Sequence, residues 1–585
     1  MRELIYMWIQ STNKRATFIN QEIQFSDNYI VNILEKDCFD YIQTIEIKEK
    51  ESLYDNIYGN SILNISALVG INGIGKTTLL EMLGSTRNFR KKYIDEWSYF
   101  VLYRVDKKYV IEGMNINYFS DFIEGLPPNM NDIFSLWCSY DKETKKFRFE
   151  DLCHEDGVGE NKIKFFYFHD NPIDENGYLT NEYDNSKDNN ICFERIYMNS
   201  DPKSIYKTCF ELQKNEEISR SIYLRNLNFS ISVDNMNVVM RPSKELTFEI
   251  RKKMFVMKIY LAIAFKYGGK NAVSRITTNN RKEENNKNEK DKNIDVIDFD
   301  LEVYENCKKE IINIIKEANI KDEIDLNNLQ AIVDKIPNSN FIVPKRNLGF
   351  ENERVEFSVS DGYSEQLYQL LLYFGEYIRF TYRGISAGEK KVIDIFSAIY
   401  THLVGDGEKN ENTYIVLLDE PDKGLHPEMS RQVINYIFNM FKKIEGNKYQ
   451  FIISTHSPYL ISDIPVPFIH CLQRDSDSGN WNTEILKSQY GLLNNIPDIL
   501  KDTFFIESPF GKFGEEYFKD LLNELKGVSN SSQILNFRKK IKTINDTVLR
   551  NYLNKQVETK LTEIGDKDEQ IIYYEQKIKE LKGEN

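Results

Sequence analysis

The sequence predicts an α/β fold: a mixed sheet with an antiparallel β region, a helical insertion and a helical C-terminal tail. Three observations carry this. Residues 67–83, ALVGINGIGKTTLLEML, run from an apolar strand through a glycine-rich turn into a leucine-rich helix. Two further apolar runs, TYIVLLDEP (413–421) and YQFIISTHSP (449–458), read as buried strands that end in polar residues. From about 201 to 380, and again beyond 500, the pattern turns helical. At 585 residues the chain is too long for one core, and about two to four domains are expected.

Taken along the chain, the runs LIYMWIQ, TFINQEIQF, NYIVNIL and FDYIQTIEI suit an antiparallel region that leads into the strand NISALVG. After the glycine turn a helix starts near Lys76. WSYFVLYRVDKKYVIEGM (97–114) reads as a hairpin turning at Asp106–Lys108, and KIKFFYFHD (162–170) and CFERIYMNS (192–200) as two more strands. The stretch between those two strands has turn composition throughout.

ELTFEIRKKMFVMKIYLAIAFKYGG is a long helix ending at a Gly-Gly stop. TTNNRKEENNKNEKDKN (277–293) contains no apolar residue and is expected to be a linker. Helical patterns resume in ENCKKEIINIIKEANI and YSEQLYQLLLYFGEYIRF, and strand character is expected to return only at 413. The resulting parts are 1–200, a helical insertion over 201–380, 381–500, and a helical tail over 501–585.

Bulk properties exclude several classes. A net charge of −14 leaves no global basic field, so any DNA contact must come from a local patch. The seven cysteines (Cys38, Cys138, Cys153, Cys192, Cys209, Cys307, Cys471) are odd in number and form no CxxC pair. That supports neither a zinc site nor a disulfide framework, and it fits a reduced cytosol. The N-terminus, MRELIYMWIQ, lacks the pattern of a signal peptide. The longest apolar stretch, MFVMKIYLAIAF (254–265), is interrupted by Lys258 and falls short of a membrane span. A soluble, cytoplasmic chain without a membrane partner is expected.

The chemistry concentrates in four motifs. Gly70-Ile71-Asn72-Gly73-Ile74-Gly75-Lys76-Thr77 matches GxxxxGK[ST], in which backbone N–H groups turn inward around phosphates at the positive end of the next helix. Lys76 would reach the β- and γ-phosphates, Thr77 would hold Mg²⁺, and Asn72, Gly73, Gly75 and Thr78 would complete the nucleotide cradle. YIVLLDEP then ends a buried strand in two adjacent acids: Asp419 to support Mg²⁺ and Glu420 to polarise an attacking water.

RGISAGEKKVIDIFSAIY (383–400) opens a helix with Ser386, Gly388 and Glu389, a second anion-binding surface. One active site has no use for a second phosphate reader, but a site shared with a partner subunit does. Finally, His456 follows the apolar strand QFIIS, where it could hydrogen-bond the γ-phosphate region.

In this order the motifs resemble those of an ABC-type P-loop ATPase head: Walker A, an ISAGE signature, Walker B with its glutamate, a D-loop and a switch histidine. The turn Asp422-Lys423-Gly424-Leu425-His426-Pro427-Glu428 and the run His456-Ser457-Pro458 resemble the RecF/SMC/overcoming-lysogenization-defect branch rather than transporter ATPases. The segments IQFSDNY, RFTYRGISAGEKKVIDIFSAIY and DILKDTFFIESPFGKFGEEYFKDLL are similar to AAA_21/AAA_15-like ATPases of bacterial antiphage systems, nearest to the ATPase component of Septu (PtuA). That resemblance covers residues 1–85 and 365–525.

It implies a homodimer, or a higher homo-oligomer, that sandwiches ATP and Mg²⁺ between Walker A of one chain and Ser386 and Gly388 of the other. It also implies a separate effector subunit, a nuclease, under the control of this switch. The alternative is a RecF-like clamp that holds DNA and needs no nuclease. Two departures stand out. Ala387 replaces a common glycine in the signature, and no Q-loop glutamine follows the strand that ends near Asn199. No nuclease site is expected in the chain itself. Asp475-Ser476-Asp477 reads as a hairpin turn, and the six histidines are scattered.

Overall fold

The computed structural model describes residues 2–12, 17–36, 41–128, 130, 132–153, 163–168, 193–198, 201–214, 227–233, 238–242, 247–279, 295–317, 326–342, 354–404, 412–442, 444–475, 482–506, 508, 510–564 and 567–582. The position after Asn199, residues 280–293 of the expected linker and the turn at 476–481 lie outside the described residues. The chain folds as two compact units, Met1–Ile499 and Leu500–Asn585.

The N-terminal runs form β1 (Arg2–Thr12), β2 (Thr17–Gln24), β3 (Tyr29–Lys36) and β4 (Ile42–Glu49), followed by β5 (Ile62–Gly70). The glycine turn opens α1 (Lys76–Gly84), and a short α2 (Arg87–Lys91) follows. Next come the hairpin β6 (Trp97–Val105) and β7 (Lys108–Met114), turning at Asp106 with φ 56°, then β8 (Ile123–Glu124), β9 (Ile133–Asp141) and β10 (Lys146–Leu152). β11 (Ile163–Phe168) and β12 (Glu194–Tyr197) complete this half.

The insertion contains α3 (Pro202–Lys214), α4 (Phe248–Asn279), α5 (Leu301–Glu317), α6 (Leu326–Asp334) and α7 (Glu365–Phe374). The Gly-Gly stop ends the first helical stretch of α4, as expected. Gly269 sits at φ 64°, and a second helical stretch continues to Asn279, through the first residues of the expected linker.

Six short strands also lie in this region, against the expectation that strand character returns only at 413. β13 (Asn228–Ser232), β16 (Phe341–Ile342), β17 (Arg354–Ser358) and β18 (Arg379–Arg383) form one small sheet, and β14 (Val238–Pro242) pairs in parallel with β15 (Asp295–Phe299). None exceeds five residues, so alternation has too few positions to stand out from the helical periods around it.

The second half of the head supplies α8 (Ala387–Ile399), β19 (Thr413–Asp419), α9 (Pro427–Phe441), β20 (Lys448–Thr455), α10 (Pro458–Ile461), β21 (Ile469–Arg474) and β22 (Asn482–Lys487). One sheet of 14 strands joins both halves, in the order β12-β11-β19-β20-β5-β21-β22-β2-β1-β6-β7-β9-β10-β8. From β12 to β21 all neighbours are parallel, whereas β2-β1-β6-β7-β9-β10 is an antiparallel wing. Parallel strands covered on both faces need apolar residues at successive positions, which is why β5, β19 and β20 read as continuous apolar runs.

The two faces of the sheet hold separate cores. Met7 and Ile9 of β1 pack with Leu79, Leu80, Met82 and Leu83 of α1 on one face. Tyr6 and Trp8 pack on the other, beneath Val31, Ile45 and Ile47 of the β3–β4 hairpin.

The second unit is helical. Leu521, Leu525, Ile534, Phe537, Leu553, Val557 and Tyr573, from four helices between Lys512 and Lys582, form its own core. Among the described residues no helix is long and apolar enough to cross a membrane. Cys138, Cys209, Cys307 and Cys471 are free, whereas Cys153 is in a disulfide, a bond that the odd, scattered cysteines did not announce.

Candidate active site

Three adjacent strands, in the order β19-β20-β5, bring the motif residues to one edge of the sheet. The register places Val69 beside Thr455 and Asp419 beside Ser454, so the glycine turn, the two acids and the histidine all leave the sheet at the C-terminal ends of parallel strands. In open α/β sheets that edge is where ligands bind.

The turn itself demands glycine. A Cβ on Gly70 would lie 2.5 Å from the Leu472 carbonyl oxygen, because β21 runs directly alongside. Gly75, at φ 112°, caps α1 in a backbone conformation that side chains disfavour. Asn72 and Gly73 are exposed on the outer rim, and Thr78 is half-buried in the first turn of α1.

Lys76 is buried at the base of the turn. Its ammonium donates to the carbonyls of Gly70 (3.0 Å) and Ile71 (3.2 Å), and lies 2.7 Å from His456 Nε2. Burial lowers its pKa to about 8, against the opposing pull of Glu420, Asp419 and Asp422. His456 Nε2 is also 3.2 Å from Glu420 Oε1. One ring nitrogen thus stands between a cation and a carboxylate, and it can accept from the first or donate to the second but not both. Burial, and then the charge of Lys76, push the imidazole pKa down and favour its neutral form.

Thr77 Oγ1 donates to Asp419 Oδ2 at 2.9 Å, and Ser454 Oγ donates to Asp419 Oδ1. A hydroxyl and a carboxylate oxygen in contact are hard donors that fit Mg²⁺, a cation that keeps several waters and takes few protein ligands. When bound, it would neutralise phosphate charge. Glu420 adopts φ 45°, a left-handed conformation rare outside glycine and a recurrent mark of functional turns.

Ser386, Gly388 and Glu389 occupy a different surface. Ser386 caps α8, accepting from the Glu389 N–H at 3.3 Å, while the Glu389 carboxylate accepts from the Ser386 N–H at 2.7 Å. Glu389 is buried in this capping box, so its charge is engaged with its own helix start rather than presented outward. Gly388 lies against the turn after Glu420: a Cβ there would be 3.3 Å from the Gly424 carbonyl.

Several supporting residues were missed by motif reading. Ser454 holds both Asp419 and the Glu420 backbone, and Lys391 donates to the Glu420 carbonyl. Behind α1, Glu112 on β7 sits between Arg90 (2.6 Å) and Arg195 (2.8 Å), all three buried. Burial alone would raise the Glu112 pKa, but Arg195 and then Arg90 outweigh it and hold the carboxylate ionised. The same guanidiniums donate to Leu83 O, and Tyr99 donates to Met82 O, satisfying the free carbonyls at the end of α1.

A family model for an AAA ATPase domain, AAA_15, matches residues 24–461, three-quarters of the chain and every strand that builds this site. The chain belongs to the AAA_15 family. Its fold is an α/β ATPase domain with a large mixed sheet, inserted helices and a helical C-terminal unit.

Among individual relatives, this AAA_15 protein is 27% identical over 165 residues to the "Retron Vc95 probable ATPase" of Vibrio cholerae serotype O1 biovar El Tor. The match takes in 28% of this chain and spans 27% of that relative's length. A solved structure of an SMC head bound to the C-terminal winged-helix domain of ScpA aligns over 83% of this chain and 96% of its own, at 10% identity. Its TM-score is 0.23.

Proposed function

We propose that this AAA_15 protein is an ATP-binding and ATP-hydrolysing switch subunit of a prokaryotic antiphage defence complex. It dimerises around ATP and regulates a separate effector, a nuclease, in the manner of the Septu ATPase. One observation carries the ATPase part: Lys76, Thr77, Asp419, Glu420 and His456, scattered over 380 positions, meet within hydrogen-bond contacts at one sheet edge. In that cluster Lys76 and the turn amides bind phosphate, Thr77 and Asp419 hold Mg²⁺, and Glu420 with His456 directs water.

The dimeric part is supported by Ser386 and Gly388. Their helix start lies apart from the cluster and packs on the turn after Glu420, a place suited to the nucleotide of a second copy. The defence part is supported by the sequence resemblance to antiphage ATPases and by the similarity to an ATPase named for a retron.

Light scattering of the Glu420→Gln chain with ATP and Mg²⁺ tests dimer closure. Co-expression with flanking reading frames, followed by mass identification of co-eluting chains, tests the effector. A stoichiometric nuclease supports the defence reading. If no chain co-elutes while the ATP-bound protein retains DNA, a RecF-like clamp replaces it.

A further inference from the structure

The backbone of Glu420 is fixed from two directions. Its N–H donates to the carbonyl and the hydroxyl of Ser454, at 3.1 and 2.9 Å. Its carbonyl accepts from the Lys423 N–H at 3.1 Å and from the Lys391 ammonium at 3.1 Å. A non-glycine residue at φ 45° persists only where its surroundings over-determine it, and these contacts do so.

The four contacts differ in origin. Ser454 lies on the neighbouring strand, and Lys423 in the same turn. Lys391 alone comes from α8, one turn beyond the Ser386–Gly388 helix start. The side chain is half-buried and aimed at a peptide carbonyl, where a surface lysine would normally extend into water. A charged donor makes this the stronger kind of hydrogen bond. Asp422, whose carboxyl burial raises, also feels the Lys391 charge, so the ammonium serves two groups of the same turn. Together with the packing of Gly388 on Gly424, it makes α8 and the turn after β19 a jointed pair.

We infer that Lys391 is a positioning residue that couples the signature helix to Glu420, so that a nucleotide of a second copy seated on Ser386 and Gly388 sets the attitude of the Glu420 carboxylate. This rests on the proposed reading of Glu420 as the water-directing residue and of α8 as the face toward a partner's nucleotide. The side-chain hydrogen bonds of Lys76 and Thr77 run to Gly70, Ile71, His456 and Asp419, away from α8. Removing Lys391 should therefore spare nucleotide binding and slow turnover.

The test compares full-length wild type with Lys391→Met, Lys391→Arg, Lys391→Gln and Glu420→Gln. Two quantities are measured: affinity for a fluorescent ATP analogue, and steady-state ATPase rate against protein concentration. The expected result is affinity within about twofold for all Lys391 variants, with kcat down roughly tenfold or more in Lys391→Met and Lys391→Gln. The rise of specific rate with protein concentration should flatten in both, and Lys391→Arg should recover most of the rate.

Wild-type kcat in Lys391→Met overturns the inference, as does a parallel loss of affinity and rate in both neutral variants, which marks a structural role. If those occur while Glu420→Gln is inactive, the ATPase reading stands and only the coupling falls. A Glu420→Gln chain as active as wild type removes the reading and the inference together.

Discussion

Lys76 Nζ and His456 Nε2, 380 residues apart in sequence, lie 2.7 Å from each other between the start of α1 and the end of β20. In the free protein the lysine is thus engaged by the histidine and by two carbonyls of its own turn. Phosphate has to draw it from those partners. Lys76→Ala should lose the rise in thermal midpoint that ATP and Mg²⁺ give the wild type. His456→Ala should keep that rise but lose about one to two powers of ten in kcat, because the histidine acts on the reacting end of the nucleotide.

Glu420→Gln keeps shape and loses charge. Turnover should fall by about two to four powers of ten with nucleotide still bound. Light scattering should then find a dimer that persists in ATP and disappears when the nucleotide is removed. A variant that hydrolyses at the normal rate would exclude Glu420 from the mechanism.

Buried Glu3 gives the protein a pH dependence away from the site. Ser26 donates to one carboxyl oxygen at 2.7 Å, and the carboxyl is fully buried. Burial raises the pKa from 4.5 to about 7. The folded state therefore holds this proton where the unfolded chain releases it. The associated stability is complete below about pH 4.5 and lost as pH rises through about 7. Glu3→Gln should raise the thermal midpoint relative to wild type at pH 8 and change it little at pH 4.5.

Glu112→Ala leaves two buried guanidiniums facing each other and should cost about 3–5 kcal/mol of stability. Urea unfolding would show it. The double replacement of Glu112 and Arg195 by apolar residues should cost less than the single change, because one unpaired buried guanidinium, Arg90, then remains in place of two.

Sequence reading located the motif strands and α1 because each combines an apolar run with a glycine or acid at its end, and both signals are local. The hairpin at Asp106 and the four N-terminal strands were legible as short β-like runs separated by polar turns, also a local signal. The small strands of the insertion were not, since five residues such as RVEFS or RFTYR carry no more alternation than chance. Ser454 and Lys391 were missed because an ordinary serine and lysine acquire meaning only through the strand register and helix packing that aim them. Glu112, Arg90 and Arg195 meet across 22 and 83 residues of separation, with no short-range pattern to mark them.

The strand that carries the glycine turn is hydrogen-bonded on one edge to β20 and on the other to β21. Both partners are made from residues beyond 447, almost four hundred after β5 itself. During synthesis, β5 must wait with both edges open until most of the chain has left the ribosome. A shortened product ending inside the insertion would have a glycine turn but no sheet to support it. It would offer bare strand edges to other chains instead, which is a route to aggregation. Nucleotide capture thus becomes available only to a nearly finished head, and a broken message yields no half-active ATPase.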